Sequence, residues 1–386
     1  MPAENSPLLR CVLRPLMLLL FAAAVQGVCA QTAEPAAAAD SAAVYDARIG
    51  RIEKILSKLP SVSGFMQLSY MFDSRGDEPV TSRFRLHRAR VTLAGSIYES
   101  LADYSLMAEF ADSPKVLDAY LRITPWRQFN VQAGLFRPPF TLENFFYGAT
   151  TMELIDYPQI VSRMTTIGDL AGVGSGAAGR DLGVQLYGGF FSKRGFSTLQ
   201  YYAGMFNGNG LSYGGKALKD FSALVRINPL RELAIVGSVY VGRWTPAGGG
   251  RQLRNRWSAG FIYDDGRWFS RGEYIGGVTG IDGSDFNPRK SPSGGRLHTD
   301  GAYLMAGCWF CGRKVAPVLR ADFFTENTAA RYDTTDVCYT AGVLFTPWKY
   351  LRLQLNYALT TYSYNPLESG PRPVDNRVTV MVTGMF

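Results

Sequence analysis

The chain closes on Arg377-Val378-Thr379-Val380-Met381-Val382-Thr383-Gly384-Met385-Phe386. Val378, Val380, Val382 and Phe386 fall on one face, with Gly384 interrupting the run. Arg377, Thr379, Met381, Thr383 and Met385 fall on the other. A period of two with one greasy and one wetter face is the signature of a β-strand. A final aromatic on such a strand is the ending that outer-membrane β-barrels carry. The expected fold class is therefore all-β, and the inward face of each strand is where function should lie.

Working back from that end, alternating segments are expected over 62–73, 83–98, 101–111, 116–124, 129–136, 180–190, 196–206, 218–228, 232–242, 253–264, 267–278, 299–310, 314–325, 337–346, 350–361 and 374–386. That makes about sixteen, an even number of the length a tilted membrane strand needs. The connections sort by parity. Every second one is short and rich in turn residues, as at Asn228-Pro229 and Asp265-Gly266, and Thr124-Pro125-Trp126-Arg127 recurs as Thr346-Pro347-Trp348-Lys349. The alternate ones are mostly long and polar. Short turns at one end and long loops at the other are the asymmetry of a 16-stranded antiparallel transmembrane β-barrel, with both chain ends on the periplasmic side.

The bulk numbers fit this reading. The 386 residues are 47% hydrophobic and 19% charged, with 41 glycines and 13% aromatics. Alternating faces cancel in such an average, and after the N-terminus no apolar run is long enough for a spanning helix. Residues 1–30 read as a secretory signal: Arg10 and Arg14 precede an apolar stretch, and Val28-Cys29-Ala30 supplies small residues for cleavage. A lipidated Cys29 is the rival, disfavoured by Val28. Residues 31–61 are an Ala-rich leader followed by a short amphipathic helix over 46–59, with Ile49, Ile52, Ile55, Leu56 and Leu59 on one stripe and Pro60 as its stop. Residues 62–386 are the barrel.

Net charge is +8. No nucleic-acid motif is present, so the basic residues are read against the pore. The expected pore-lining cations are Arg83, Arg85, Arg88, Arg90, Arg122, Arg226, Arg271, Arg320, Arg352 and Arg377. A lipid-facing Arg at mid-depth costs about 2–4 kcal/mol, so these need water or a partner. Asp103, Glu109, Asp118, Glu273 and Asp322 are expected inside as well, and wall salt bridges are the competing role. For 83–90, four arginines in eight residues favour an exposed cationic stripe. On strand 116–124 the expected lipid face is Leu117, Ala119, Leu121 and Ile123.

The longest connection, 137–179, opens rigidly at Arg137-Pro138-Pro139-Phe140 and carries Glu143, Glu153, Asp156 and Arg163, with a helical turn expected over 151–156. Loops of this length in compact proteins are usually functional, and this one is expected to fold inward and narrow the lumen. An external cap is the alternative. Cys308 and Cys311 would lie on opposite faces of a strand, so two small residues near a strand end are expected, with a disulfide left open. No metal or other cofactor is expected. His87 and His298 are the two histidines, and no GxSxG, HExxH or phosphate-binding loop occurs, which argues against an enzyme.

Three stretches together resemble the phosphate-selective porin O and P family: Arg88-Ala89-Arg90-Val91-Thr92-Leu93-Ala94-Gly95; Asp118-Ala119-Tyr120-Leu121 leading to Gly134-Leu135-Phe136-Arg137-Pro138-Pro139-Phe140-Thr141-Leu142-Glu143; and Gly204-Met205-Phe206-Asn207-Gly208. The resemblance implies a sixteen-stranded homotrimeric porin with a constriction loop and an arginine-lined path for small anions such as phosphate. Arg88 and Arg90 match the family's basic strand, and Gly134 to Phe140 match the start of its constriction loop. The acids Glu143, Glu153 and Asp156 depart from a strongly phosphate-selective pattern. The expected function is passive diffusion of small hydrophilic solutes across the outer membrane, anions favoured; a structural or adhesive barrel with a closed lumen is the alternative. Expected partners are outer-membrane lipid and, through the strand ending at Phe386, the outer-membrane assembly machinery.

Overall fold

The computed structural model describes residues 59–386 except 77, 99–100, 166–168, 171–178, 194, 209, 211–218, 245–251, 281–295, 330–333 and 364–371. The signal segment and the 46–59 helix fall outside the described residues, apart from Leu59.

Sixteen strands close into one antiparallel barrel, each paired with its sequence neighbours and the last with the first. The first half comprises β1 (Ser61–Arg75), β2 (Thr81–Tyr98), β3 (Ala102–Glu109), β4 (Lys115–Ile123), β5 (Asn130–Phe136), β6 (Asp181–Lys193), β7 (Phe196–Phe206) and β8 (Asp220–Ile227). The second comprises β9 (Leu233–Trp244), β10 (Gln252–Asp264), β11 (Trp268–Gly280), β12 (Arg296–Cys308), β13 (Val315–Thr325), β14 (Thr335–Trp348), β15 (Leu351–Tyr362) and β16 (Asp375–Met385). Every expected strand is present with ends within three residues of the reading. Closure leaves no unpaired edge for the bilayer to desolvate. The seam is continuous from Phe65↔Met385 to Arg75↔Asp375.

The faces follow the alternation on β16. Val380, Val382 and Phe386 are exposed on the outside, while Thr379, Met381 and Thr383 are buried within. Register shifts break this period, and two of them lie beside the cavity. On β2 the register steps between Gln67↔Arg88 and Leu68↔Leu86, which leaves His87 as the extra residue. An inserted residue resets parity. Arg85 and His87 therefore point inward on one side of the bulge, and Arg88 and Arg90 on the other. Strict alternation would have separated Arg83 and Arg85 from Arg88 and Arg90. On β4 a second step, between Met107↔Asp118 and Ala108↔Val116, turns Leu117 into the lumen. Leu117 is fully buried, a correction to its expected place on the lipid face; Leu121 and Ile123 do lie on the outside.

The connection after β5 folds into the barrel. Its described residues carry two short helices, α1 (Leu142–Phe146) and α2 (Gln159–Thr165). The expected helical turn over 151–156 is not helical, and the two helices flank it instead. The reasons are local. Thr141 caps α1 by accepting from the backbone N–H of Asn144 at 3.2 Å, and Pro158 precedes the first residue of α2, where a missing N–H is tolerated.

The loop is packed against one side of the barrel through three apolar clusters. Leu142 joins Leu224, Ala234, Val236 and Ile262 on β8, β9 and β10. Phe140, Ile160, Val161 and Met164 join Tyr240, Ile275, Tyr303 and Phe324. Leu154 joins Phe269, Met305, Ala316, Val318 and Leu344. Each large side chain buried in this way stabilises by about 1.5–3 kcal/mol, so the inward apolar residues of β8 to β14 form a dry seat for the loop.

Candidate functional site

The seat leaves an open cavity of about 790 Å³ against β1 to β4, the end of β5 and β13 to β16. Its lining is polar, with neutral donors and acceptors such as Thr340, Asn356, Thr360 and Thr379 among charged groups. Among the described residues, ten basic and seven acidic side chains face it, so the surplus is positive.

The expected arginines divide into three groups. The first holds the loop. Arg271 donates to Glu143 at 2.6 and 2.9 Å and to Glu153 at 2.7 Å. Arg320 donates to the Asp156 carbonyl at 2.6 Å and pairs with Asp322 at 3.0 Å. Arg352 donates to the carbonyls of Thr150 and, at 2.7 Å, Met152. Arg137 donates to the carbonyls of Asn144 and Tyr147 at 2.7 and 3.0 Å. These contacts correct the expectation for Arg271 and Arg352, which are buried beneath the loop and do not face the cavity.

The second group is tied to wall carboxylates. Arg90 pairs with Glu109 at 2.7 Å, with both side chains buried. Arg122 pairs with Asp103 at 2.8 Å, and Asp73 takes both Arg83 at 3.4 Å and Arg377 at 2.5 Å. Arg122 and Arg83 lie beyond the cavity lining, and Arg226, bound to Asn228 at 2.9 Å and stacked 5.2 Å from the Phe146 ring, lies below the loop.

The third group is free to meet a solute. Arg85 and Arg88 face the cavity without an ion pair among the described residues; Arg88 is held by the Gln67 side-chain oxygen at 2.8 Å. Arg163, on α2, faces the same space with its guanidinium 5.5 Å from the Phe324 ring. The exposed stripe expected over 83–90 is thus reduced to Arg85 and Arg88, because acids on neighbouring strands take up its two ends.

The loop acids also divide. Glu143 is buried and Glu153 largely so, both in the grip of Arg271, so neither offers a negative charge to the lumen. The Asp156 carboxylate is exposed in the cavity. Wall groups complete the anchoring. Glu273 accepts from the Leu142 N–H at 2.7 Å, Asp322 from the Gln159 N–H at 3.2 Å, and Gln67 donates to the Ala149 carbonyl at 3.1 Å.

Sequence reasoning passed over Arg180, Arg254 and Arg256. Arg180 pairs with Asp118 at 3.1 Å, Arg254 with Asp220 at 2.8 Å, and Arg256 with Asp169, all buried. The alternation Arg254-Asn255-Arg256-Trp257-Ser258 carried the signal, since Trp257 must face outward and Arg254 and Arg256 therefore inward. Cys308 and Cys338 are buried free thiols and Cys311 an exposed one, so the described structure contains no 308–311 disulfide. His87 lines the cavity with a buried Nδ1 that has no hydrogen-bond partner.

A closed sixteen-stranded antiparallel barrel narrowed by an inward loop is the fold of outer-membrane porins. The family described as phosphate-selective porin O and P matches residues 62–218, which bears out the resemblance read from the three sequence stretches. Among solved structures, the anion-selective porin from Comamonas acidovorans superposes with a TM-score of 0.64 at 14% identity, covering 85% of this chain and 99% of that one. OmpT of Vibrio cholerae, in its trimer form, gives 0.56 at 12% identity over 85% and 100%. The channel DcaP of Acinetobacter baumannii gives 0.58 at 13% over 85% and 97%. No curated protein matches the chain.

Proposed function

We propose that this barrel is a passive diffusion channel in which small hydrophilic anions are favoured over cations. The observation that carries the reading is the pair Arg85 and Arg88, inward on both sides of the β2 bulge and without carboxylate partners among the described residues. Arg163 faces the same cavity, and although Asp156, Glu78 and Asp112 are exposed in its lining, basic side chains outnumber acidic ones there among the described residues. Fixed cations beside a water path lower the energy of an anion in transit. Salt screens them over about 8 Å at physiological ionic strength, so preference weakens as salt rises.

Solutes enter through the loops, pass between the loop and the wall formed by β1, β2 and β14 to β16, and leave at the short-turn end. The resemblance implies a homotrimer, and a solved structure of similar fold is described as one. The exposed Phe386 on the terminal strand is the contact we assign to the assembly machinery.

Planar-bilayer recording of the reconstituted chain tests the reading. Stepwise conductance is expected, with a reversal potential in a salt gradient on the anion side, and the same measurement in phosphate salts ranks phosphate against chloride. Absence of conductance, or a cation-side potential, overturns it. Mobility of the unheated protein on a denaturing gel reports the trimer.

A further inference from the structure

We infer that the short-turn end of the barrel carries a collar that binds the headgroups of anionic phospholipids in the inner leaflet of the outer membrane. Five short turns carry the same pairing of an exposed basic residue with an exposed large apolar one. Trp126 precedes Arg127, Leu230 precedes Arg231, Arg267 precedes Trp268, Phe310 shares a turn with Arg313, and Lys349 lies between Trp348 and Tyr350. The apolar members are strongly exposed, from 47% at Phe310 to 67% at Trp348.

None of these five cations makes an ion pair among the described residues, although acids are close by in sequence. Asp264 and Asp265 are occupied within their own turn. Asp264 accepts from the Gly266 N–H at 2.8 Å, and Asp265 from the N–H groups of Arg267 and Trp268 at 2.8 and 2.7 Å. Their charge serves the turn backbone, and Arg267 remains open to an outside anion. Two of the cations are held over rings: Lys349 Nζ lies 4.5 Å from the centre of the Tyr350 ring, and the Arg313 guanidinium 5.3 Å from that of Trp309.

The occupant follows from where these pairs sit. The exposed rings continue the apolar outer surface of the strands to its edge, where hydrocarbon meets water, and Trp and Tyr favour that depth. A cation one residue further along the turn lies at the level of lipid phosphates. Basic groups at such a surface attract anionic lipid, each adding to the preference, and an arginine fork matches a phosphate in two hydrogen bonds. The collar does not rest on the channel reading: its cations and their apolar neighbours are exposed turn residues that do not line the cavity.

The test reconstitutes the full chain into vesicles of phosphatidylcholine mixed with phosphatidylglycerol. Lipid that stays with the protein after detergent extraction is then identified by native mass spectrometry. Wild type should retain phosphatidylglycerol in preference to phosphatidylcholine, and inorganic phosphate at the same concentration should not displace it. The combined variant Arg127→Gln, Arg231→Gln, Arg267→Gln, Arg313→Gln and Lys349→Gln should lose that preference by about tenfold or more, with conductance unchanged. If the combined variant does not assemble, Arg127→Gln with Lys349→Gln should give a partial loss. Equal retention of the two lipids by wild type, an unchanged preference in the variants, or displacement of the lipid by soluble peptidoglycan fragments overturns the inference.

Discussion

Arg271 on β11 clasps Glu143 at the start of α1 through two hydrogen bonds of 2.6 and 2.9 Å, and the same guanidinium reaches Glu153 ten residues further along the loop. One strand residue therefore fixes the loop at two points, and the Tyr303 hydroxyl adds a third contact to Glu143 at 3.2 Å. The guanidinium also stacks on the Tyr147 ring with its centre 3.9 Å away. All of these side chains are largely or fully buried, so the attraction is little screened and each charge depends on its partner.

Removal of one partner is therefore costly. Arg271→Met should leave two carboxylates without a counter-charge at a local cost of about 3–5 kcal/mol. The expected outcome is a larger and noisier single-channel conductance as the loop loosens. Adding Glu143→Gln and Glu153→Gln to Arg271→Met should quieten the trace again, because no orphaned charge remains. Unchanged conductance in the single variant would show that the apolar seat alone holds the loop.

Arg88 and Arg90 are two residues apart on β2 and should behave differently. Arg88→Ser removes a free cation from the cavity and should move the reversal potential in a salt gradient toward cations. Arg90→Ser breaks a buried pair with Glu109, which also accepts from the Ala89 N–H at 2.7 Å. Its main effect should be on thermal unfolding, with a stability loss of about 3–5 kcal/mol. Reversal potential and melting temperature, measured on both variants, separate the two roles.

Deletion of 143–160 should raise conductance several-fold and lower thermal stability at once. The first effect follows from clearing the lumen. The second follows from exposing Ile275, Met305 and Val318, which are at most 2% exposed beneath the loop. An external cap would produce neither.

Gly134 stands where β5 meets β4, with φ +134° and with the position of a side-chain carbon only 2.2 Å from the Ala119 carbonyl oxygen. No L side chain fits that approach without moving backbone. Gly134→Ala should abolish the heat-modifiable folded band on a gel, whereas Gly384→Ala, with open space at its site, should leave it intact.

The ion pairs at the long-loop mouth should matter little. Arg75–Asp375 and Arg377–Asp73 are partly exposed, and pairs of that kind contribute roughly 0–1 kcal/mol. Arg75→Gln should shift the melting temperature by no more than a few degrees, and less in high salt.

The strands were legible because alternation is a local property. On β15, Leu355 and Tyr357 face out while Arg352, Gln354 and Asn356 are buried within, as a period of two requires. Where a bulge inserts a residue, the period carries no warning, so Leu117 was placed on the wrong face. The inward direction of Arg271, Arg320 and Arg352 was legible for the same reason as the strands. Their work was not: whether an inward guanidinium meets water, a strand carboxylate or a loop carbonyl depends on groups 128 to 202 residues away.

By itself, then, the amino-acid order settled that alternating segments close into a membrane barrel, because each strand's two solvents are written into its own side chains. It also settled which residues turn inward, up to a bulge. Only the tertiary structure decided that the loop rests on β8 to β14 and leaves the cavity against β1 to β4 and β13 to β16. It alone decided that Arg85 and Arg88 remain free while Arg90, Arg271 and Arg352 do not. The physical reason is that a charge's effect is set by its nearest counter-charge and its exposure to water, and both are fixed by contacts between strands and loops far apart in the chain.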